Sequence, residues 1–96
     1  MDLEDKKAAE VVEAGLGSIG RIKILKILSR NREPLTKYAI AKQTGLRHKD
    51  LVANLRILVG IGWVEELQTR PIKYKVNMEN EIVSSLVEFF YKARYI

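Results

Sequence analysis

The sequence predicts a mainly α-helical fold with a small β-hairpin. Apolar residues recur every three or four positions between residues 18 and 59, which is the period of helices with one buried face. Beyond residue 60 the period falls to about two, and Ile72, Tyr74 and Val76 alternate with polar residues as in a strand. The length of 96 residues fits a single domain, 1–96.

The first predicted helix covers residues 1–14, where Ala8, Val11 and Val12 share one side. We expect Gly15 to end this helix, because glycine readily adopts the conformations that follow a helix C-terminus. The next helix lies within SIGRIKILKILSRN, where apolar residues follow one another at three-residue steps. Ser18 is its predicted N-cap.

A short helix is predicted after Leu35, with Thr36 as its N-cap and Leu35 and Ile40 as a hydrophobic staple. The pair Thr44-Gly45 is expected to end it.

A longer helix is predicted over residues 47–59, with three leucines on its buried side. On a 100° wheel, Lys49, Ala53 and Arg56 fall opposite these leucines. Asp50 lies in the first turn, where a carboxylate complements the helix dipole.

The C-terminal part of the chain predicts a hairpin followed by a helix. Two strands flank Arg70-Pro71, and the second strand carries a basic face. A final helix over residues 80–96 is capped by Asn80 or Asn77, and its apolar residues cover about half of the wheel. A helix packed on one neighbour needs a narrower stripe, so we expect a second contact.

Charge and composition restrict the function. The net charge is +5, and residues 21–56 carry ten Lys and Arg against two acidic residues. Such a block favours polyanion binding if its charges share one side of the fold. The chain has no cysteine, and His48 is its only histidine. Transition-metal sites need several such ligands, so we expect no metal and no cofactor. The acidic N-terminus without an apolar core predicts a cytoplasmic protein with no membrane segment.

The stretch GLGSIG at residues 15–20 has the G-x-G-x-x-G spacing of a dinucleotide-binding turn. That site requires a preceding strand and an acidic residue about twenty positions later. The preceding residues have helical periodicity, and no acidic residue occurs between 34 and 49. We therefore interpret the glycines as a joint between helices. No other motif is typical of catalysis, so we expect no enzyme.

Three ungapped segments in this order resemble a known family: LGSIGRIKILKIL, LTKYAIAKQTGLRHKDLVANLRILVGIGWVEE and IKYKV. Together they resemble the winged helix-turn-helix, and within it the ArsR-type repressors, over residues 16–76. The resemblance implies an N-terminal helix (1–14), a winged-helix core (18–77) and a C-terminal dimerisation helix (78–96). It also implies a homodimer that binds double-stranded DNA through a recognition helix (47–59) and a basic wing (67–76).

The resemblance assigns candidate contact residues. Those that match the family's DNA-contacting positions are Thr36, Lys37, Arg47, His48, Lys49, Val52, Ala53, Arg56, Arg70, Lys73 and Lys75. The apolar arc of the last helix independently supports a dimer, and the candidate interface residues are Val11, Val12, Val83, Val87, Phe89 and Phe90.

Two functions remain open at this stage. The first is a DNA-binding regulator of transcription. The second is a winged-helix module that holds protein within a larger nucleic-acid-processing assembly. Val52, Ala53 and Val59 support the second function, because they are apolar on a surface that should be polar. Loss of duplex affinity with salt would distinguish the two.

Overall fold

A computed structural model describes the backbone of residues 3–96 and the side chains of residues 6–96. It contains five helices and three short strands within that range. The elements are α1 (Leu3–Leu16), α2 (Ile19–Arg30), β1 (Leu35–Thr36), α3 (Lys37–Thr44), α4 (His48–Gly60), β2 (Val64–Leu67), β3 (Lys73–Val76) and α5 (Glu81–Lys92). The predicted start of the first helix, at residues 1 and 2, lies outside the described residues.

Three of the helices begin at a side chain that acts as N-cap. Two of these residues, Ser18 and Thr36, are the N-caps predicted from the sequence. Ser18 Oγ accepts a hydrogen bond from the Arg21 amide of α2 at 3.1 Å. Thr36 Oγ1 accepts one from the Ala39 amide of α3 at 3.2 Å. For α5, Asn80 is the N-cap. These caps satisfy amides that have no partner within the helix, so each fixes where a helix begins.

The hairpin is part of a three-stranded antiparallel sheet in the order β1-β3-β2. Strand β1 was not predicted. It has two residues and pairs Leu35 with Tyr74 and Thr36 with Lys73. A strand of two residues leaves no detectable alternation in the sequence. The pairing ties the start of α3 to the returning strand of the hairpin.

The core lies between α2, α3, α4, α5 and one face of the sheet. Its largest fully buried side chain is Trp63, which follows α4 at 0% exposure. Around it lie Ile24, Leu25, Leu28, Ile40, Leu51, Leu55, Leu58, Val64, Tyr74, Val83, Val87 and Phe90. The three leucines that the sequence placed on the inner side of α4 are all in this cluster, so the orientation of that helix is confirmed.

The expectation that Gly15 ends the first helix is wrong. Gly15 is buried inside α1, which continues to Leu16. A Cβ atom at this position would overlap the six-membered ring of Trp63. At Gly20, inside α2, a Cβ would lie 2.7 Å from Asn54 Nδ2 of α4. Close packing therefore explains the first and last glycines of the G-x-G-x-x-G spacing. Gly15 lets α1 approach Trp63, and Gly20 lets α2 approach α4.

The last helix is shorter than predicted and ends at Lys92. Arg94 takes a left-handed conformation with φ of 58°, which reverses the chain direction. The Tyr95 amide then donates to the Phe90 carbonyl at 2.8 Å, and the two rings meet edge to face at 5.1 Å between centroids. This segment packs back onto the domain, and the pattern of apolar residues does not reveal such a reversal.

Candidate nucleic-acid interface

Helix α4 presents a basic surface on the side opposite its buried leucines. Arg47 is the N-cap residue, and Arg47, His48 and Lys49 are all exposed at the start of the helix. Ala53 and Arg56 are exposed one and two turns further along. The core anchors the inner side of α4 and leaves this outer side free for contact.

The start of α3 lies beside the hairpin because of strand β1. Thr36, whose hydroxyl caps α3, pairs in register with Lys73 of β3. Lys37 Nζ lies 6.0 Å from the ring centroid of Tyr74, also on β3. Residues that are far apart in sequence, at 36–37 and at 73, are therefore neighbours in the fold.

A cleft of about 300 Å³ separates α4 from the hairpin. It is lined by Lys37, Val52, Leu55, Arg56, Val59, Gly60, Glu66, Ile72 and Tyr74. The cleft brings together three of the predicted contact residues, namely Lys37, Val52 and Arg56. Val52 and Val59 are half-buried within it, so they expose less apolar surface than the sequence alone indicates.

Arg70 is exposed in the loop between β2 and β3, and Lys73 is half-buried at the start of β3. Lys75 differs from both. Its Nζ lies 3.4 Å from Glu65 Oε2 on the paired strand, and it lines a second cleft together with residues of α2 and α5. Its charge is partly compensated, although the pair is exposed enough to be weak.

Sequence reasoning missed two exposed residues near this surface, Tyr38 and Glu66. Tyr38 in the first turn of α3 is 78% exposed and lines a shallow cleft with Pro71 and Ile72 of the hairpin loop. The sequence does indicate that Tyr38 is exposed. It is two positions from the buried Ile40 in a helix, so the two side chains face opposite sides. Glu66 adds a negative charge to the cleft beside α4. Its placement depends on the strand register, which the sequence did not specify.

The candidate dimer residues divide into two groups. Val83, Val87 and Phe90 are 1%, 7% and 4% exposed and belong to the core of this chain. They have almost no side-chain surface left for a partner, because α5 uses that side to cover its own domain. Val12 and Phe89 are exposed, the latter at 61%, whereas Val11 is half-buried against the core.

An apolar groove of about 410 Å³ lies beside Phe89. Its lining consists of Leu16, Ile22, Leu86, Phe89, Phe90, Ala93 and Tyr95. Val12 precedes Leu16 by one helical turn and extends the same side of α1. The last helix therefore has an apolar surface available for the second contact that we expected. Helices α1, α2 and α5 form this surface together.

The described part of the chain has neither a metal-binding cluster nor a helix that could span a membrane. No three His, Asp or Glu side chains in residues 6–96 come together in a way that could hold a metal ion. None of the described helices is both long and apolar enough to cross a membrane.

Comparison with solved structures decides the fold. HlyU from Vibrio cholerae superposes with a TM-score of 0.79 at 20% identity, covering 97% of both chains. The homodimeric winged helix-turn-helix DNA-binding domain of Mb0332 from Mycobacterium bovis gives 0.72 at 22% identity, covering 98% of this chain and 87% of that one. An ArsR-like transcriptional regulator from Rhodococcus gives 0.73 at 20% identity, covering 99% and 86%. This chain has the winged helix-turn-helix fold of ArsR-type regulators.

Within the winged helix-turn-helix, α3 and α4 are the helix pair and the β2–β3 hairpin is the wing. The fold predicted from the sequence is confirmed, with β1 added to the sheet. No protein-family model matches the chain, and no curated protein is significantly similar to it. At 20–22% identity the likeness shows the fold alone.

Proposed function

We propose that this protein is a transcriptional regulator that binds duplex DNA as a homodimer. The observation that carries the proposal is the outer face of α4. Arg47, His48, Lys49 and Arg56 are exposed there on a helix whose opposite side is held by the core. The major groove admits an α-helix, and Lys and Arg release counterions from the phosphates that they contact. Among the proteins with similar structures, the one from Rhodococcus is an ArsR-like transcriptional regulator, and the Mb0332 domain is a winged helix-turn-helix DNA-binding domain.

The residues of the interface would have different tasks. Lys49 and Arg56 have the donors that recognise guanine N7 and O6. Ala53 offers a methyl group to a thymine methyl, whereas half-buried Val52 has less surface for such a contact. Few side chains can therefore read bases directly, and groove shape should supply part of the selectivity.

Phosphate contacts would come from the start of α3 and from the wing. Thr36 and Lys37 lie beside Lys73 through the β1–β3 pairing, and Arg70 is exposed in the wing loop. A helix N-terminus and neighbouring cations suit an anionic backbone. Lys75 should contribute less than these residues, because Glu65 lies within 3.4 Å of it.

The groove formed by α1, α2 and α5 is proposed as the dimer interface. Leu16, Leu86 and Phe89 line it, and Phe89 is 61% exposed in the single chain. A second copy is the proposed occupant, because the Mb0332 domain of the same fold is homodimeric. The proposed interface keeps Val12 and Phe89 from the sequence prediction, retains Phe90 as part of the groove lining, and replaces Val83 and Val87 with Leu16 and Leu86.

Selection of bound duplexes from a random pool tests the proposal. A regulator should enrich a motif with two half-sites about one helical turn apart, since a twofold dimer presents two recognition helices. The selected duplex should lose affinity steeply as salt rises. No enrichment, with weak binding at every salt concentration, would contradict the proposal and favour a winged-helix module that holds protein.

A further inference from the structure

A second basic surface lies on α2, in a cleft to which neither the recognition helix nor the wing contributes a residue. Lys23, Lys26 and Arg30 fall within about 60° of the helix circumference, since successive residues turn by about 100°. The other side of α2 is buried in the core. The three side chains line a cleft of about 310 Å³ together with Ile27, Gln43, Thr44 and Tyr95. We call this the α2 cleft.

The positive charge of the α2 cleft has no counterion within the described residues. None of its lining residues is acidic, and none of its three cations forms an ion pair in residues 6–96. Lys26 Nζ lies 4.3 Å from the ring centroid of Tyr95, which holds the ammonium at the cleft. Three unpaired cations around one concave site favour an anion.

The α2 cleft also has a hydrogen-bond donor. Gln43 Oε1 accepts from Asn31 Nδ2 at 3.3 Å, and this contact orients the amide group of Gln43. In the described residues no hydrogen bond uses Gln43 Nε2, so it is free to donate to a ligand oxygen. Arg30 adds a planar fork of donors that matches two oxygens of a phosphate.

The position of the α2 cleft points to its ligand. Gln43 and Thr44 are the last residues of α3, and the turn at Gly45 leads from them to Arg47 at the start of the recognition helix. Lys42 and Arg47 are both exposed on either side of this turn. Exposed cations therefore continue along the chain from the cleft to the surface proposed to enter the major groove.

We propose that the α2 cleft binds a phosphate of the DNA backbone that flanks the segment covered by the recognition helix and the wing. This inference rests on the proposed DNA-binding function and extends it with a third contact surface. Arg30 and Gln43 would donate to the phosphate oxygens, and Lys23 and Lys26 would supply charge. The site then adds affinity and positions the duplex without reading its sequence.

The test compares a selected duplex with the same duplex trimmed to the base pairs under the recognition helices and wings. The longer form carries one further helical turn, about 10 base pairs, at each end. The variant Lys23→Gln/Arg30→Gln removes two exposed cations and leaves the contact of Lys26 with Tyr95 intact. On the longer duplex the slope of log affinity against log salt should become shallower by about 0.9 per protomer, the value for one lost phosphate contact. On the trimmed duplex it should not change.

The matched control is Lys6→Gln/Lys7→Gln, which removes the same charge from the exposed side of α1. If the α2 variant and the control had the same salt slope on the longer duplex, the inference would be overturned. The proposed function would remain intact. Failure of the unaltered protein to bind any duplex would overturn both. In that case, amide shifts of Gln43 and Thr44 on titration with inorganic pyrophosphate would reassign the cleft to a small phosphate ligand.

Discussion

The contact between Gly15 and Trp63 allows a sharp test of the packing. In Gly15→Ala, the new Cβ would overlap three ring atoms of Trp63, which is fully buried. Forcing extra volume into a packed core costs about 1–3 kcal/mol. Alanine regains about 1 kcal/mol through its helix propensity, because Gly15 lies inside α1. Because three atoms of a fully buried ring are overlapped, the cost should lie near the upper limit, so the expected net loss of stability is about 2 kcal/mol, or a fall in Tm of roughly 8–16 °C.

Gly60→Ala is the matched control for this substitution. Gly60 is the last residue of α4, and an added Cβ meets no atom within 4 Å. Its stability should stay the same or rise by up to about 1 kcal/mol. Both variants should be unfolded thermally at one protein concentration, since a dimer makes Tm concentration-dependent. If Gly15→Ala were as stable as the unaltered protein, the explanation of the glycine spacing by close packing would be refuted.

Three further predictions concern the DNA interface, the dimer and a helix cap. Arg56→Gln should weaken binding of the selected duplex by about 1–3 kcal/mol, measured by fluorescence anisotropy, and should relax the preference for a guanine in each half-site; an unchanged preference would remove Arg56 from the base contacts. Phe89→Asp should convert the dimer to monomer in analytical ultracentrifugation with an unchanged far-ultraviolet circular dichroism spectrum, because this side chain is 61% exposed; a persisting dimer would contradict the proposed groove. Asn80→Ala removes the acceptor of the Ile82 and Val83 amides and should cost about 1 kcal/mol in denaturant unfolding; a loss below about 0.3 kcal/mol would show that the cap contributes little.

Local features of the sequence predicted much of the fold. Ser18 and Thr36 cap helices as expected, because a capping side chain bonds an amide only two or three residues away. Gly45 has φ of 75° at the end of α3, where a glycine was expected to end the helix. The leucines of α4 are buried for the same local reason, since their spacing matches the helical period.

Features that depend on distant neighbours could not be predicted in this way. The role of Gly15 requires Trp63, which is 48 positions later in the chain. Strand β1 exists because Leu35 and Thr36 meet β3. The wide apolar arc of α5 includes residues of the core and residues that line the groove. However, periodicity alone could not decide which residues face the core and which face the groove.

In the candidate interface, too, local features were predicted from the sequence and features that depend on distant residues were not. The outward direction of Lys49, Ala53 and Arg56 follows from the helix wheel and is found in the structure. The ion pair of Lys75 with Glu65 depends on the strand register and was missed. The basic character of α2 was visible as part of the charged block. The concave form of the α2 cleft depends on Tyr95, which lies beside α2 because the chain reverses after α5.

The salt dependence of duplex binding tests the central claim most directly. Affinity should be measured by anisotropy for a selected duplex between 50 and 200 mM monovalent salt. If the dimer makes about 6–10 phosphate contacts, its affinity should fall by about 10³–10⁵ across this range, and the log–log plot should be linear. Weak binding with a flat salt response would contradict the claim that the basic surface of α4 and the wing is built for DNA.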